Sequence, residues 1–347
     1  MSLVSLGPSA AYERVGGWGV DDIVAGLRGA RERWRAAQQR SLEFAVREFP
    51  AASALREIAN ALCGALFPMR LGPHDLHQEG EDYYVGHTLD AALNALFQQV
   101  RLELGYFARR NGTAHDVDHQ AASLVKAFAA ELPRLRSLLD TDVEAAYRGD
   151  PAARSVDEVL LCYPGVLAII HHRLAHTLYR LGAPLVARIL AEIAHSTTGI
   201  DIHPGAQIGE GFFIDHGTGV VIGETAIIGR RVRLYQAVTL GAKRFEEDGH
   251  GGLQKGGARH PILEDDVVIY AGATLLGRIT IGQGSSIGGN VWLTRSVEPG
   301  SHITQASLQQ AVRGPDRAAA PADVLGELPP KSWNGLSRET GQNAAAG

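Results

Sequence analysis

The chain has 347 residues, of which 45% are hydrophobic, and carries a net charge of −5 at neutral pH, values typical of a globular protein with room for two domains. The negative charge argues against a protein that coats nucleic acid, so no nucleic acid partner is expected. No apolar run is long enough to span a bilayer, no signal peptide is recognisable, and two cysteines make no disulfide framework, so we expect a cytoplasmic protein without membrane association.

Helical spacing dominates the first half of the chain. Residues 1–18 show little periodicity, and we expect them to form a flexible N-terminus. From 19 to 198 apolar residues recur every three or four positions, as at Ile23 and Leu27. This spacing predicts an α-helical domain.

Three histidines fall on one predicted helix that begins at Pro164. His172 and His176 are four residues apart and share a helix face, and His171 precedes them. No further ligand stands at the spacing of a known metal motif. We favour packing or a polar helix face for these side chains, with metal ligation as the alternative.

Residues 199–300 place an aliphatic or small residue at every sixth position, a period that neither an α-helix nor an alternating strand explains. A hexapeptide parallel β-helix explains it, because each unit forms a short strand and a turn, and three units complete one triangular coil. An irregular Gly-rich β-sandwich rarely keeps such a phase. We predict an α + β chain, a helical domain followed by a left-handed parallel β-helix. The repeat residues are Ile202, Ile208, Ile214, Val220, Ala226, Val232 and Val238, then, one residue out of phase, Leu263, Ile269, Leu275, Ile281, Ile287 and Leu293.

The repeat is interrupted once and then fades. Residues 243–259 contain five glycines and break the six-residue spacing. Such a loop excursion from a solenoid often lies on the binding face. Residues 301–347 are rich in Ala, Pro and Gly with few apolar residues, so we expect a C-terminal tail that is partly disordered.

His216 is the first candidate for catalysis. It stands in the segment Ile-Asp-His-Gly-Thr-Gly, where small neighbours leave the ring accessible, and imidazole suits a base near neutral pH. Asp201 lies 15 residues earlier, within one coil of the same corner, where it could fix the imidazole tautomer. This pairing is typical of a base that activates a hydroxyl group.

Arg259 and His260, followed by Pro261, close the loop excursion. An arginine there suits a substrate carboxylate, which it can hold through two hydrogen bonds. Each histidine taken alone is also explained as a hydrogen-bonded turn residue. The combination with His216 favours a binding site.

These motifs resemble those of the serine O-acetyltransferase family. The resemblance rests on HPGAQIGEGFFIDHGTGVVIGETAIIG, on the Leu240-Gly241 turn with its Gly-rich loop, and on ARHP. Upstream, Asp150-Pro151-Ala152 looks like the family's DPA motif, and the matching region runs from roughly 140 to 300. The long helical region with GALFPMRLG looks like a branch of the family with a longer N-terminal domain.

The resemblance implies the reaction and its catalytic pair. Acetyl-CoA would acetylate the hydroxyl of L-serine to give O-acetyl-L-serine and CoA, the first step of cysteine biosynthesis from serine. His216 matches the family's general base, and Asp201 matches its dyad partner.

It also implies the substrate ligands. Asp150 and Asp215 match carboxylates that hold the amino group of serine, while Arg259 and His260 match groups that bind its carboxylate and the developing charge. A zwitterion needs both signs of charge around it.

For acetyl-CoA the family uses small residues and backbone amides in the groove between neighbouring solenoids. The matching positions are Gly241, Ala242, Ala271 and Gly289. Two positions depart from the common family form, because Tyr270 stands where Gly is usual and Ser286 replaces a usual Lys.

The family assembles as a trimer or a dimer of trimers, with active sites between subunits, and cysteine occupies the serine site as a feedback inhibitor. Family members often end in Ile, which inserts into O-acetylserine sulfhydrylase, whereas this sequence ends in AAAG. We therefore expect no tight complex with the sulfhydrylase through the tail.

Three alternatives remain at this stage. A hexapeptide-repeat acetyltransferase acting on another hydroxyl acceptor, such as a sugar, is disfavoured because a neutral sugar needs neither Asp150 nor Arg259. A zinc lyase like the γ-type carbonic anhydrases needs histidine pairs about five residues apart, which the repeat lacks, so no metal is expected. A silent assembly module leaves the motif set unexplained.

Overall fold

The computed structural model of the chain describes residues 18–38, 49–112, 116–243 and 256–306. Nearly all of the expected N-terminal segment, most of the loop excursion and most of the tail lie outside the described residues. Where the chain is described, helices precede strands, and the change falls between Thr198 and Asp201. The predicted class, a helical domain followed by a parallel β-helix, is confirmed.

The described residues form eight α-helices, and a short 3₁₀ helix (Gln78–Gly80) precedes the fourth. The α-helices are α1 (Val20–Ala37), α2 (Ala52–Leu66), α3 (Pro68–Leu71), α4 (Glu81–Asn111), α5 (Val117–Gly149), α6 (Val156–Cys162), α7 (Pro164–Leu181) and α8 (Pro184–Thr198). Their ends follow capping rules: the Asp116 carboxylate accepts the N–H of His119 at the start of α5, and Ser155 accepts that of Glu158 at the start of α6.

Helix α7 is central to the helical domain. Its Leu174, Ala175 and Leu178 are almost wholly buried among α5, α8 and their neighbours. Full burial of one leucine contributes about 1.5–3 kcal/mol, so this helix fixes the arrangement of the others. Helix α1, by contrast, buries none of its described residues.

The histidines of α7 belong to its packing. A ring nitrogen of His171 bonds to the Leu167 carbonyl at 3.0 Å, and one of His176 bonds to the Pro204 carbonyl at 2.8 Å. Burial lowers the pKa of both, and that of His172 most of all. These contacts favour packing over metal ligation for His171 and His176, and His172 is almost fully buried beside them.

Neither cysteine is bonded to the other. Cys63 is buried, and burial raises the pKa of its thiol to about 12, which makes it unreactive. Cys162 is exposed. Over the part of the chain that the structure describes, no helix is both long and apolar enough to cross a membrane.

Fourteen short strands in the described residues wind into a triangular prism. Every third strand stacks in parallel, which gives the sheets β1-β4-β7-β10-β13, β2-β5-β8-β11 and β3-β6-β9-β12-β14. The strands are β1 (Asp201–Ile202), β2 (Gln207–Ile208), β3 (Phe213–Ile214), β4 (Val221–Ile222), β5 (Ile227–Ile228), β6 (Arg233–Leu234), β7 (Thr239–Gly241), β8 (Ile262–Leu263), β9 (Val268–Ile269), β10 (Thr274–Leu276), β11 (Thr280–Ile281), β12 (Ser286–Ile287), β13 (Trp292–Leu293) and β14 (His302–Ile303). The last strand pairs with β12, so the coil continues past residue 300.

The strand register differs from the predicted phase between Val220 and Val238. Ile202 pairs with Ile222, 20 residues later, whereas Ile222 pairs with Leu240, 18 residues later. The turn after β3 therefore contains two extra residues. The predicted repeat residues from Val220 to Val238 are buried, but they lie at the corners that precede the strands.

The joint between the two domains contains a buried ion pair of the helical domain. Asp142 of α5 accepts two hydrogen bonds from Arg173 of α7, at 2.7 and 2.8 Å, and both side chains are almost fully buried. Arg173 also donates to the carbonyls of Ile208 and Gly209, and Asp142 accepts the N–H of Phe212. The helical domain is thus fixed to the first coil, directly before the His216 turn.

Candidate active site

The turn after β3 exposes His216. Its φ angle of 61° is uncommon for a residue other than glycine, and Gly217 follows with φ 88°. The N–H of Asp215 donates to the Leu234 carbonyl at 2.8 Å, which ties the turn to the next coil. The His216 side chain is 69% exposed, so the turn carries the imidazole outward to where a substrate can reach it.

The carboxylate paired with the His216 ring is that of Asp215, whose Oδ1 lies 3.8 Å from Nδ1, beyond hydrogen-bond distance. Asp201 lies on β1. In the part of the single chain that the structure describes, no hydrogen bond or ion pair joins Asp201 to His216. Ligand atoms of Asp201, Glu192 and His195 lie within 4.8 Å of one another, a grouping common on acidic surfaces without a metal. The pairing of Asp201 with His216 stays a prediction.

Asp150 lies at the C-terminal cap of α5, with both carboxylate oxygens engaged. Oδ1 accepts the N–H of Ala152 at 2.8 Å, and Oδ2 accepts the hydroxyl of Tyr163 at 2.5 Å. The Tyr163 bond, then the Ala152 bond, lower the pKa of Asp150, and the nearby Arg233 and His216 side chains lower it further. Asp150 therefore lies in the electrostatic field of the His216 turn and stays ionised.

Asp215 is held by an arginine on the next coil. Arg233 donates to Asp215 Oδ2 at 3.1 Å, and its guanidinium lies 5.0 Å above the Phe213 ring and 4.8 Å above the Tyr235 ring. Tyr235 stacks in turn on Tyr270, with 5.2 Å between ring centroids. The structure thus brings three predicted residues, Asp150, Asp215 and His216, into one charged corner.

Arg259 and His260 lie at a second corner, above the turn between β4 and β5. Arg259 donates to Glu224 at 2.6 Å, and Tyr179 of α7 donates to the other oxygen of Glu224 at 3.1 Å. Burial alone would raise the pKa of Glu224, but these two hydrogen bonds lower it overall. The Arg259 guanidinium is held in place by a carboxylate that stays charged.

His260 is buried in this second corner. Its Nδ1 accepts the N–H of Thr225 at 3.0 Å and lies 2.9 Å from the Thr225 hydroxyl. Burial, then the charge of Arg259, lower the pKa of His260 to about 4, so the ring is neutral at physiological pH. The ring fits only because Gly223 has no side chain, since a Cβ there would overlap it.

The two corners are adjacent vertices of the triangular coil. The His216 corner precedes β4 and the His260 corner follows it, so one face of the prism separates them. Across the described residues no hydrogen bond or ion pair joins Asp150, Asp215 or His216 to Arg259 or His260. In a single chain the predicted substrate-binding residues therefore form two separate groups, one at each corner.

The predicted acetyl-CoA positions are also split between these corners. Gly241 ends β7, and Ala242 follows it near the second corner. Ala271 and Gly289 lie together near the first corner, where the N–H of Asn290 donates to the Ala271 carbonyl at 2.9 Å and a Cβ on Gly289 would lie 3.2 Å from the same oxygen. Tyr270 is partly exposed beside them, and Ser286 bonds to His302 at 2.7 Å.

The sequence analysis gave no role to four residues of these corners: Tyr163, Arg233, Thr225 and Glu224. Tyr163 reaches Asp150 from 13 residues away, and Arg233 reaches Asp215 from 18. Glu224 contacts Arg259 across 35 residues because the excursion returns above it. Glu224 and Thr225 stand in the segment that carries the family resemblance, whereas no local signal marked Tyr163 or Arg233.

A cavity lies between the helical domain and the β-helix. It has a volume of about 750 Å³ between α5, α7 and the β2-β5 face, and its lining includes Arg134, His176 and Arg180. None of the predicted catalytic or substrate residues lines it. His216, the predicted base, lies instead on the exposed surface of the single chain.

Comparisons with known proteins identify the family of the chain. A serine acetyltransferase from Synechococcus elongatus is 56% identical over 296 residues, which cover 84% of this chain and 92% of that protein. A serine acetyltransferase from Mycobacterium tuberculosis is 51% identical over 162 residues, covering 47% of this chain and 67% of that protein. No family model matches the chain.

Solved structures give the same result. Serine acetyltransferase 1 from Entamoeba histolytica in complex with L-cysteine superposes with a TM-score of 0.63 at 39% identity, covering 72% of this chain and 86% of that one. Its native form gives a TM-score of 0.62 at 36% identity, covering 76% and 90%. With such identity over most of its length, the chain belongs to the serine acetyltransferase family and is an acyltransferase.

Proposed function

We propose that this enzyme transfers the acetyl group of acetyl-CoA directly to the hydroxyl of L-serine, with His216 as the general base. The observation that carries the proposal is the charged corner, where an exposed imidazole stands beside two carboxylates that are held by hydrogen bonds. A base and fixed negative charges suit an acceptor that bears a hydroxyl and an ammonium group. The reaction takes place in the cytoplasm, which the two unpaired cysteines support.

His216 removes the hydroxyl proton of serine as the oxygen attacks the thioester carbonyl. The tetrahedral intermediate then collapses, the carbon–sulfur bond breaks, and the thiolate of CoA takes up the proton. The products are O-acetyl-L-serine and CoA. Asp201 is the proposed partner that orients the His216 ring for this step.

Each charged group of serine has a proposed ligand of opposite sign. Asp150 and Asp215 bind the ammonium group, and Arg259 binds the carboxylate through its guanidinium fork. His260 is neutral, so it can donate its Nε2–H to the oxygen that develops negative charge, while Nδ1 remains bonded to Thr225.

A complete site requires two subunits. In a threefold assembly the His216 corner of one chain meets the His260 corner of its neighbour, which unites the two groups of ligands. The prism face between the corners carries exposed Trp292 and Val221, an apolar surface that supports such contact. We propose a homotrimer, or a dimer of trimers built through the helical domains.

Acetyl-CoA occupies the groove between neighbouring chains in this assembly. Small residues and backbone amides there admit the pantetheine arm without side-chain obstruction, and they are Gly241, Ala242, Ala271 and Gly289. Tyr270 and its partner Tyr235 border the groove near the first corner.

Cysteine is the proposed inhibitor. The Entamoeba histolytica relative was solved with L-cysteine, which has the same ammonium and carboxylate groups as serine. The ligands that we assign to these groups would hold cysteine equally well. Inhibition by L-cysteine should therefore be competitive with L-serine.

Release of CoA thiol from acetyl-CoA by the purified protein tests the reaction. Release should require L-serine, and a panel of sugars and other amino acids should give little. Release with a sugar but not with serine would overturn the substrate assignment while leaving the acetyltransferase class intact.

A further inference from the structure

Tyr163 makes a contact that has no role in the reaction as proposed above. It connects α6 to α7, and its hydroxyl donates to Asp150 Oδ2 at 2.5 Å. The other oxygen of Asp150 accepts the N–H of Ala152. A carboxylate offers about four acceptor positions, so two remain for a ligand.

The position of the phenol is fixed by the helices on either side. Tyr163 caps the C-terminus of α6, where its N–H donates to the Val159 carbonyl at 3.1 Å, and its own carbonyl begins the hydrogen bonding of α7. Gly165 packs so closely on β3 that a Cβ would overlap the Ile214 carbonyl oxygen. The helix that starts at Tyr163 is therefore held against the strand that leads into the His216 turn.

The hydrogen bond between Tyr163 and Asp150 shifts the pKa of both side chains. The hydrogen bond to Asp150, with burial second, raises the pKa of Tyr163 to about 12, so the phenol remains a donor at every working pH. The same bond is the largest cause of the lowered pKa of Asp150. Donation to an ionised carboxylate is stronger than a neutral hydrogen bond and fixes the plane of the carboxyl group.

We propose that Tyr163 is a positioning residue for recognition of the acceptor's ammonium group, acting by holding the Asp150 carboxylate with its free lone pairs turned to the site. The inference rests on the proposed function, in which Asp150 binds that ammonium. It predicts selectivity for acceptors that carry an amino group. The phenol itself touches no substrate.

The test compares three acceptors in the Tyr163→Phe enzyme: L-serine, L-serinamide, which lacks the carboxylate, and 3-hydroxypropanoate, which lacks the amino group. Loss of one charge-assisted hydrogen bond should lower kcat/KM by about tenfold for the two amino-bearing acceptors, mainly through KM. For 3-hydroxypropanoate, the constant measured is kcat/KM if it is an acceptor, or the inhibition constant against L-serine if it is a competitive inhibitor. That constant should change less than about twofold.

Tyr83→Phe is the matched control, because this tyrosine is 82% exposed on α4 and outside both corners. It should leave all three constants unchanged. An equal loss on all three acceptors in Tyr163→Phe would overturn the inference, since it would mean only a structural role for the phenol. The melting temperatures of both variants identify any loss of folding.

Asp150→Asn distinguishes a failure of the inference about Tyr163 from a failure of the proposed role of Asp150. Asp150→Asn should abolish most of the preference for amino-bearing acceptors, and adding Tyr163→Phe to it should have no further effect. If Asp150→Asn keeps the preference, the assignment of Asp150 fails, and the inference fails with it. If Asp150→Asn loses the preference and Tyr163→Phe keeps it, the inference alone fails.

Discussion

The two corners of the β-helix reach functional geometry in different ways. At the His216 corner the imidazole is exposed, and the carboxylates around it are fixed by residues of two domains, Tyr163 from the helices and Arg233 from the next coil. At the His260 corner the imidazole is buried and neutral, held by Thr225 of the preceding coil. The geometry of the His216 corner depends on contacts between the helical domain and the β-helix. The geometry of the His260 corner depends mainly on close packing within the β-helix.

This difference assigns different chemistry to each corner. An exposed imidazole keeps access to solvent and substrate, as a base requires. A buried imidazole that stays neutral is suited to donating a hydrogen bond without gaining a charge.

The largest effect is expected from His216→Ala. Removal of a general base costs about 10²–10⁴-fold in rate, so kcat should fall about 10³-fold while the Kd for acetyl-CoA stays nearly constant. Single-turnover rates and equilibrium binding of acetyl-CoA measure the two quantities. His74→Ala, on an exposed loop, is the control, and full activity in His216→Ala would remove the residue from the mechanism.

The next effect is on stability. Asp142→Asn leaves the buried Arg173 charge poorly compensated at the domain joint, and should lower the free energy of unfolding by about 3 kcal/mol. Chemical denaturation measures this change. Asp157→Asn breaks the exposed pair with Arg70 and should cost less than about 1 kcal/mol. Equal effects from the two variants would contradict the importance assigned to the joint.

The strand register of the β-helix shows how much of the fold could be predicted from the sequence. A six-residue spacing was enough to predict the parallel β-helix. It was not enough to fix the phase after the His216 turn, because each six-residue unit buries two residues, one on the strand and one at the corner, as Ile222 and Val220 do. Both kinds are aliphatic, so a turn with two extra residues leaves the apparent repeat unbroken.

The candidate site divides in the same way. His216, Arg259 and His260 stand in compact motifs and were predicted from the sequence. Tyr163 and Glu224 act through contacts between segments that are distant in the chain, and only folding brings those segments together. The placement of Asp201 beside His216 stays a prediction.

Acid should affect the two corners at different pH. The pKa of His260 is about 4 in the folded chain against about 6.5 when unfolded, so the unfolded state binds the extra proton first as the pH falls. The stability that this difference contributes is complete above pH ~6.5 and is lost on the way to pH ~4, with a loss of about 2 kcal/mol at pH 5. The lowered pKa of Asp150 makes its contribution vanish only below about pH 4.

Urea denaturation at pH 7 and pH 5 tests this order. His260→Asn has no titrating group at the position, so its stability should depend less on pH than that of the wild type over this range. Asp150→Asn should keep the wild-type dependence between these two values. A parallel fall in wild type and His260→Asn would assign the effect to another buried group, such as His172.

The smallest effect distinguishes the packed corner from the exposed one. In Gly223→Ala the added methyl overlaps the His260 ring, which must move away from Thr225 and carry Arg259 with it. Because this corner is proposed to hold the serine carboxylate, KM for L-serine should rise about tenfold, whereas KM for L-serinamide should change little. Gly86→Ala on α4 is the control, since its methyl meets no atom within 4 Å. Equal losses on serine and serinamide would mean that the methyl disturbs the fold, and that the carboxylate is bound elsewhere.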